Sequence, residues 1–160
     1  MIKVKMTVVD KGALSAFAGV RADLPGELRA FLQDYGMMAV TAIKRLMRDS
    51  KPTGNKYVRK YTREGKKRRS AIVHVASAPG EPPAIDTGHL WGSIEFEPGE
   101  EGTTQFVDIG TNVEYGLYLE EGTGRMARRP WLLTGIEMVD ADFRDGLIER
   151  VEGVFKRRVA

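Results

Sequence analysis

Cysteine is absent from the 160 residues. That excludes disulfides, thiol nucleophiles and cysteine-ligated zinc, and it suits synthesis in a cytoplasm. No apolar run approaches ~18 residues, so no membrane span is expected. The opening MIKVKM has no apolar core of the kind a signal peptide needs, so none is expected. Only two histidines occur, His74 and His89. Neither has a partner at ligand spacing, and no metal site or other cofactor is expected. No glycine pattern of Walker or Rossmann type exists. Gly122-Thr123-Gly124 lacks the lysine and the preceding strand that a phosphate loop needs. EFEPGEE lacks the alternating oxygen ligands and central glycine of a calcium loop and reads as a solvated turn. Internal repeats and low-complexity tracts are also missing.

What is present has the composition of an ordinary globular chain, with 42% hydrophobic and 29% charged residues. The length suits one domain over residues 1–160. Charge is unevenly placed. Residues 51–70 hold nine cations against the single acid Glu64, so the segment is +8. With a net charge of +3 on the whole chain, the rest carries −5. A basic arm on a mildly acidic body raises the question of a polyanionic partner. A solvated loop is the alternative.

Hydrophobic period then orders the chain. IKVKMTVV alternates and predicts a half-buried strand. A short helix is expected around residues 14–20. Asp23 and Pro25 then suit the first turn of a longer helix. Its stripe is Leu28, Leu32, Tyr35, Ala39, Ala42 and Leu46. Pro52 and Gly54 end it. Lys56 to Val75 reads as a hairpin whose tip, Arg63 to Arg69, is almost wholly positive. The prolines of SAPGEPPAI keep that stretch extended. Residues 52–83, hairpin and proline-rich segment together, thus form an insertion between the first long helix and the central strands. SIEFE and TQFVDIG predict two strands. EYGLYLEE predicts a short helix with Tyr115, Tyr118 and Leu119 on one face. A long helix is expected from Pro130 to about Arg158, with Ile136, Val139, Phe143, Leu147, Val151 and Val154 as its stripe. The fold class is α+β: a small antiparallel sheet packed against two long helices, with a protruding basic β-hairpin.

Two stretches invite a chemical reading. Asp86-Thr87-Gly88 is the triplet of aspartic proteases, in which two such aspartates share a proton. A single copy would require a homodimer, and the triplet should end an apolar strand, whereas here it follows GEPPA. Asp86 or Thr87 capping the turn before Leu90 is the simpler account. In YLEEGTGRMARRPWL, Gly122 stands where a left-handed glycine ends a helix and Pro130 where a first-turn proline starts one. Arg125, Arg128 and Arg129 then lie near Glu120 and Glu121, which predicts a hinge stitched by charge pairs. Exposed pairs contribute only ~0–1 kcal/mol each, so three arginines exceed what stability needs. The surplus points to contact with another chain.

Together, SAPGEPPAIDTGHLWGSI and YGLYLEEGTGRMARRPWL resemble the tail-component family of tailed bacteriophages, the small tail-completion or head–tail joining proteins similar to minor tail protein Z. The pattern rests on Pro79, Gly80, Pro82, Pro83, Asp86, Thr87, Gly88, Leu90, Ser93 and Ile94. It continues at Tyr115, Glu120, Gly122 and Thr123, then at Arg129, Pro130 and Leu132. The order of strand, long helix, variable segment, hairpin and last helix also fits. Trp91 and Trp131 depart from it, standing where smaller or other apolar residues are common.

The resemblance implies a non-enzymatic structural protein of the virion neck, made in the host cytoplasm. It implies a homo-oligomeric ring of about six or twelve subunits with genomic DNA passing through its lumen. The head connector or stopper protein, and the tail terminator or tail tube protein, are the implied partners. No membrane is involved. Arg63, Lys66, Lys67, Arg68 and Arg69 of the arm, with Arg125, Arg128 and Arg129, are then candidates for subunit or partner contact. The arm would reach a neighbour's acidic surface, such as Glu95 to Glu101, or the lumen. Asp86, Thr87, Gly88, Gly122 and Pro130 would shape turns and caps. A free-standing nucleic-acid-binding module using the hairpin, with Tyr57 and Tyr61 for stacking, is the alternative, and a homodimeric aspartic protease a more remote one.

Overall fold

In the computed structural model the described residues are 2–9, 18–62 and 69–159. Ten elements follow one another among the described residues. They are β1 (Ile2–Val9), α1 (Ala18–Asp49), β2 (Lys56–Thr62), β3 (Arg69–Val75), α2 (His89–Ser93), β4 (Glu95–Glu101), β5 (Thr104–Thr111), α3 (Glu114–Glu121), α4 (Leu132–Glu137) and α5 (Asp140–Val159).

Strands β1, β5 and β4 form an antiparallel three-stranded sheet in that order. β5 is central, and Gln105, Val107, Ile109 and Thr111 are buried along it. β1 keeps the alternation of its sequence. Ile2, Val4 and Met6 turn towards the helices, while Lys3, Lys5 and Thr7 face solvent. The two edge strands are blunted by charge, which opposes edge-to-edge pairing. Lys3 and Lys5 of β1 pair with Glu97 and Glu101 of β4 across the outer face. Pro98 occupies an edge strand, the place in a sheet where a missing N–H is tolerated.

α1, about 48 Å long at 1.5 Å per residue, lies across this sheet and carries the core. Leu28, Leu32, Tyr35, Ala39 and Ala42 of its expected stripe are buried, and Ile43 and Met47 join them. The helix begins at Ala18, not at Asp23, so Pro25 lies inside it. The expected separate short helix falls partly outside the described residues, and its last three positions belong to α1. Packing explains the extension. Leu24 and Leu28 form a second apolar cluster with Val154 of α5, and that burial outweighs the one ladder bond Pro25 forfeits. The Pro25 carbonyl accepts a hydrogen bond from Gln105 Nε2 at 2.8 Å.

The expected single C-terminal helix is two. α4 ends at Glu137, a turn follows at Met138–Val139, and α5 runs on from Asp140. α4 is held against α1 by Gly135. A Cβ there would come within 2.8 Å of the Ile43 Cα, so only glycine allows the approach. α5 then packs along α1, with Phe143 edge-on to Tyr35 at 4.5 Å between ring centres. Burial, and to a lesser degree nearby Asp140, push the Tyr35 phenol up to about 12. Its hydroxyl has no hydrogen-bond partner among the described residues.

β2 and β3 pair only with each other, from Lys56 opposite Val75 to Thr62 opposite Arg69. They form the basic hairpin with the bounds read from the sequence. Val58 and Val73 stand opposite each other and are 61% and 59% exposed.

Candidate functional site

The two motif stretches meet. α3 buries Gly116 and Glu120, not the expected tyrosines. Tyr115 and Tyr118 are exposed, Leu119 is partly buried, and the Tyr118 hydroxyl donates to Glu114 at 2.8 Å. The inversion has a cause further along the chain. Trp131 is fully buried, and its indole Nε1 donates to the Gly116 carbonyl at 3.1 Å. Glycine at 116 lets α3 sit close to β5 and α2, because a Cβ there would come within 2.9 Å of the Thr111 methyl and 3.1 Å of the Leu90 Cδ1. Glu120, only 3% exposed, accepts three backbone N–H bonds. Those of Trp131 and Leu132 reach Oε2 at 2.7 and 2.9 Å, and that of Leu133 reaches Oε1 at 3.3 Å. These are the orphan donors at the start of α4, so a carboxylate eleven residues upstream serves as the cap. Trp131 is the N-cap residue, and it makes no side-chain cap bond itself.

Gly122 ends α3 with its N–H on the Tyr118 carbonyl. Its φ of 78° is positive as expected, but ψ is −179°. It is therefore not left-handed helical but in a region open to glycine alone. The extended ψ sends the chain out into a small turn, Thr123 to Met126, that brings it back beside α3. There the Arg129 N–H reaches the Leu119 carbonyl at 2.7 Å. Pro130 precedes the N-cap and so stands outside the first turn of α4, contrary to expectation. The fixed φ of proline serves the approach to the cap.

The expected hinge of charge pairs is not what holds this loop. Arg128 Nε donates to the Glu120 main-chain carbonyl at 3.1 Å. Arg129 Nε donates to the Ser77 carbonyl and Nη1 to the Ala127 carbonyl, both at 3.3 Å. Of the two carboxylates expected to pair with them, that of Glu120 is occupied by backbone N–H groups, and that of Glu121 makes no ion pair with these arginines among the described residues. Arg125 has no side-chain partner among the described residues.

The proline-rich stretch is fastened to the same loop. The Gly80 N–H reaches the Arg128 carbonyl at 2.9 Å. Glu81 accepts from Thr53 N–H (3.0 Å), the Thr53 hydroxyl (2.5 Å) and Ala78 N–H (2.7 Å). The Thr53 hydroxyl first, then the two amides, hold its carboxyl below the usual range. At the foot of the hairpin, Gly54 N–H bonds the Ala76 carbonyl and Ala76 N–H the Asn55 carbonyl, at 2.8 and 2.9 Å.

Asp86-Thr87-Gly88 leads into α2, and here the capping expectation is corrected. The N-cap is Gly88, left-handed at φ 79°, ψ 0°, with no side-chain cap bond. Glycine takes that conformation at no steric cost, which leaves Asp86 and Thr87 outside the helix. Thr87 accepts the His89 N–H at 3.3 Å. Asp86 stands 3.8 Å from His74 Nδ1, a pairing that sequence distance had hidden. A cleft of about 320 Å³ lies over this loop, with Tyr115 and Leu119 on its far wall. No group of three or more acids or histidines fit to hold a metal occurs among the described residues.

Of the arm's candidates, Arg63, Lys66, Lys67 and Arg68 lie outside the described residues, and Arg69 opens β3. The acidic surface proposed to receive the arm is largely engaged already. Glu97, Glu100 and Glu101 pair with Lys3, Arg29 and Lys5 of their own chain.

One surface was not foreseen. Met37, Met38 and Thr41 of α1 and Met138 and Val139 of the α4–α5 turn line a groove of about 560 Å³. The three methionines are about half exposed. The sequence signal was there in Met37-Met38, two large apolar residues off the α1 stripe, but its partner Met138 depends on the break between α4 and α5. No family model, curated protein or solved structure matches this chain.

Proposed function

We propose that this chain is a structural subunit of a tailed-phage neck, forming a ring that completes the tail and joins it to the head connector. It works there without catalysis, between the connector or stopper on one side and the tail terminator or tube on the other. The observation that supports this is the joint just described. Residues that carry the resemblance, Gly80, Glu120, Gly122 and Arg129, fasten three loops and a helix start to one another. Their polar groups face the backbone of their own chain. A motif employed in this way maintains a shape, as a ring subunit requires, and the projecting arm is left to meet a neighbour.

Electron microscopy of particles assembled with and without the chain tests the proposal. Without it, filled heads and finished tails should accumulate unjoined. With it, ring density should stand at the junction. Normal joined particles in its absence would overturn the reading. Tight duplex binding by the isolated chain, falling steeply with salt, would instead favour the nucleic-acid module.

A further inference from the structure

Two exposed apolar surfaces on this chain are opposite in shape and in charge. The first projects. Val58 and Val73 are a direct cross-strand pair, so their side chains stand together on one face of the hairpin. Both remain about 60% exposed, so neither is used against the chain's own body. Around them the hairpin sequence carries Lys56, Arg59, Lys60, Lys66 and other cations, with Glu64 its only acid.

The second surface is recessed. Met37, Met38 and Met138 line the groove between α1 and the α4–α5 turn, together with Asp34 and Arg45, which pair with Arg150 and Asp49 of their own chain. Methionine is flexible and polarisable, and it adapts to a partner's shape. The chain beside Met138 is acidic, with Glu137, Asp140, Asp142 and Asp145 against Arg144 alone. Asp140 is paired with that arginine, whereas Glu137, Asp142 and Asp145 are exposed and have no ion-pair partner among the described residues. This acidity is available, unlike that of β4, whose glutamates are mostly paired at home.

We propose that the hairpin of one copy docks by its Val58–Val73 face into the Met37–Met38–Met138 groove of the next copy. The proposal rests on the reading of the chain as a self-associating subunit and supplies the contact. Valines enter an apolar floor, and a basic frame meets an acidic rim. Apolar burial gives the affinity and charge gives the register. The two surfaces differ, so the contact is heterologous. Each copy keeps one hairpin and one groove free for further copies, and the series ends only by closing into a ring.

The absence of cysteine makes the test clean, because any introduced pair is the only pair. Copies carrying Val58→Cys are mixed with copies carrying Met138→Cys under mild oxidation at high protein concentration. A disulfide requires the two Cβ atoms to come within ~4.5 Å, so a parallel reaction with a short bismaleimide covers small offsets. Mixed dimers should form at least about tenfold faster than either like-with-like dimer, and more slowly in high salt. Adding Met37→Lys and Met38→Lys to the groove copy should lower the yield by a similar factor. Its melting temperature should stay the same, because both side chains are already half outside. Three results would each overturn the proposal: no mixed dimer in either reaction, a dominant Val58→Cys dimer with itself, or trapping indifferent to the lysines. The experiment contains no phage component. Mixed dimers from a chain dispensable for joining would sink the neck reading alone, and joining without mixed dimers would sink this contact alone.

Discussion

Replacing Glu120 tests the reading of the α3–α4 joint most directly. The carboxylate is buried and accepts three backbone N–H bonds, two of them from the buried residues Trp131 and Leu132. Glu120→Ala leaves those two donors without acceptor or water. A buried polar group so stranded costs about 1–3 kcal/mol. The third donor, at Leu133, lies near the surface and can turn to solvent. Releasing a buried charge from desolvation returns part of the loss. The net expectation is a destabilisation of about 3–4 kcal/mol. A chain of this length loses roughly 2–4 °C per kcal/mol, so its melting point should fall by about 6–16 °C. Glu120→Gln is the control. Its amide oxygen can still accept from Trp131 and Leu132, while its NH2 is set against the longer Leu133 bond, so about 1–2 kcal/mol is expected. Thermal melts followed by circular dichroism, with tryptophan fluorescence to follow Trp131, give both numbers. If the alanine variant melted within 2 °C of the parent, or if glutamine proved worse than alanine, the capping account would be wrong.

Four further perturbations follow from the same geometry. Gly122→Ala should cost about 1–3 kcal/mol, because φ 78° with ψ −179° is open to glycine alone and the new Cβ would meet the Met126 carbonyl at 2.9 Å; chemical denaturation measures it. Tyr35→Phe removes a buried hydroxyl that has no partner and should leave stability unchanged or raise it by up to about 1 kcal/mol, so a loss above that in a melt would reveal an unseen acceptor. Glu81 has its folded carboxyl below its ordinary 4.5, so it stabilises above that pH and the contribution disappears as pH falls through the folded value. Denaturation curves of the parent and Glu81→Gln should therefore stay a constant distance apart from neutrality down to about pH 5 and converge below it. Serine at Lys66, Lys67, Arg68 and Arg69 together should leave the melting temperature nearly unchanged, because the hairpin pairs only with itself, while lowering the fraction of joined particles.

The elements whose burial follows their own period were legible. β1 and α3 have the bounds that alternation and turn residues predicted, β3 takes in Arg69 beyond its expected start, and the α1 stripe lies in the core. Misreadings arose where a distant residue reversed a local rule. A glutamate beside two tyrosines looks like the solvent side of a helix. Glu120 is nonetheless inside, because the start of α4 takes its acceptor from eleven residues upstream. Pro25 looks like a beginning, and is overruled by Leu24 and Leu28 meeting Val154 on a helix that follows much later in the chain. The split at Met138 could not be read from a stripe that continues across it through Ile136, Val139 and Phe143. The apposition of Gly135 and Ile43 that accompanies it joins residues with no sequence signal in common. For the candidate surfaces, the charge of the arm was visible in composition, and the methionine groove was not.

The closed foot of the hairpin has a consequence for chain entropy. Gly54 and Asn55 are each held to Ala76 by a backbone bond, and nothing in the sheet order beyond that point depends on what lies between residues 55 and 76. Closing a loop costs only the logarithm of its length, about 0.6 kcal/mol for each doubling. The arm can therefore be lengthened, shortened or exchanged for a tight turn while the body keeps its stability. Two chains of this architecture could share one core and differ in reach by several residues. The foot at residues 55 and 76 is accordingly the natural place to graft a different arm or to remove the present one.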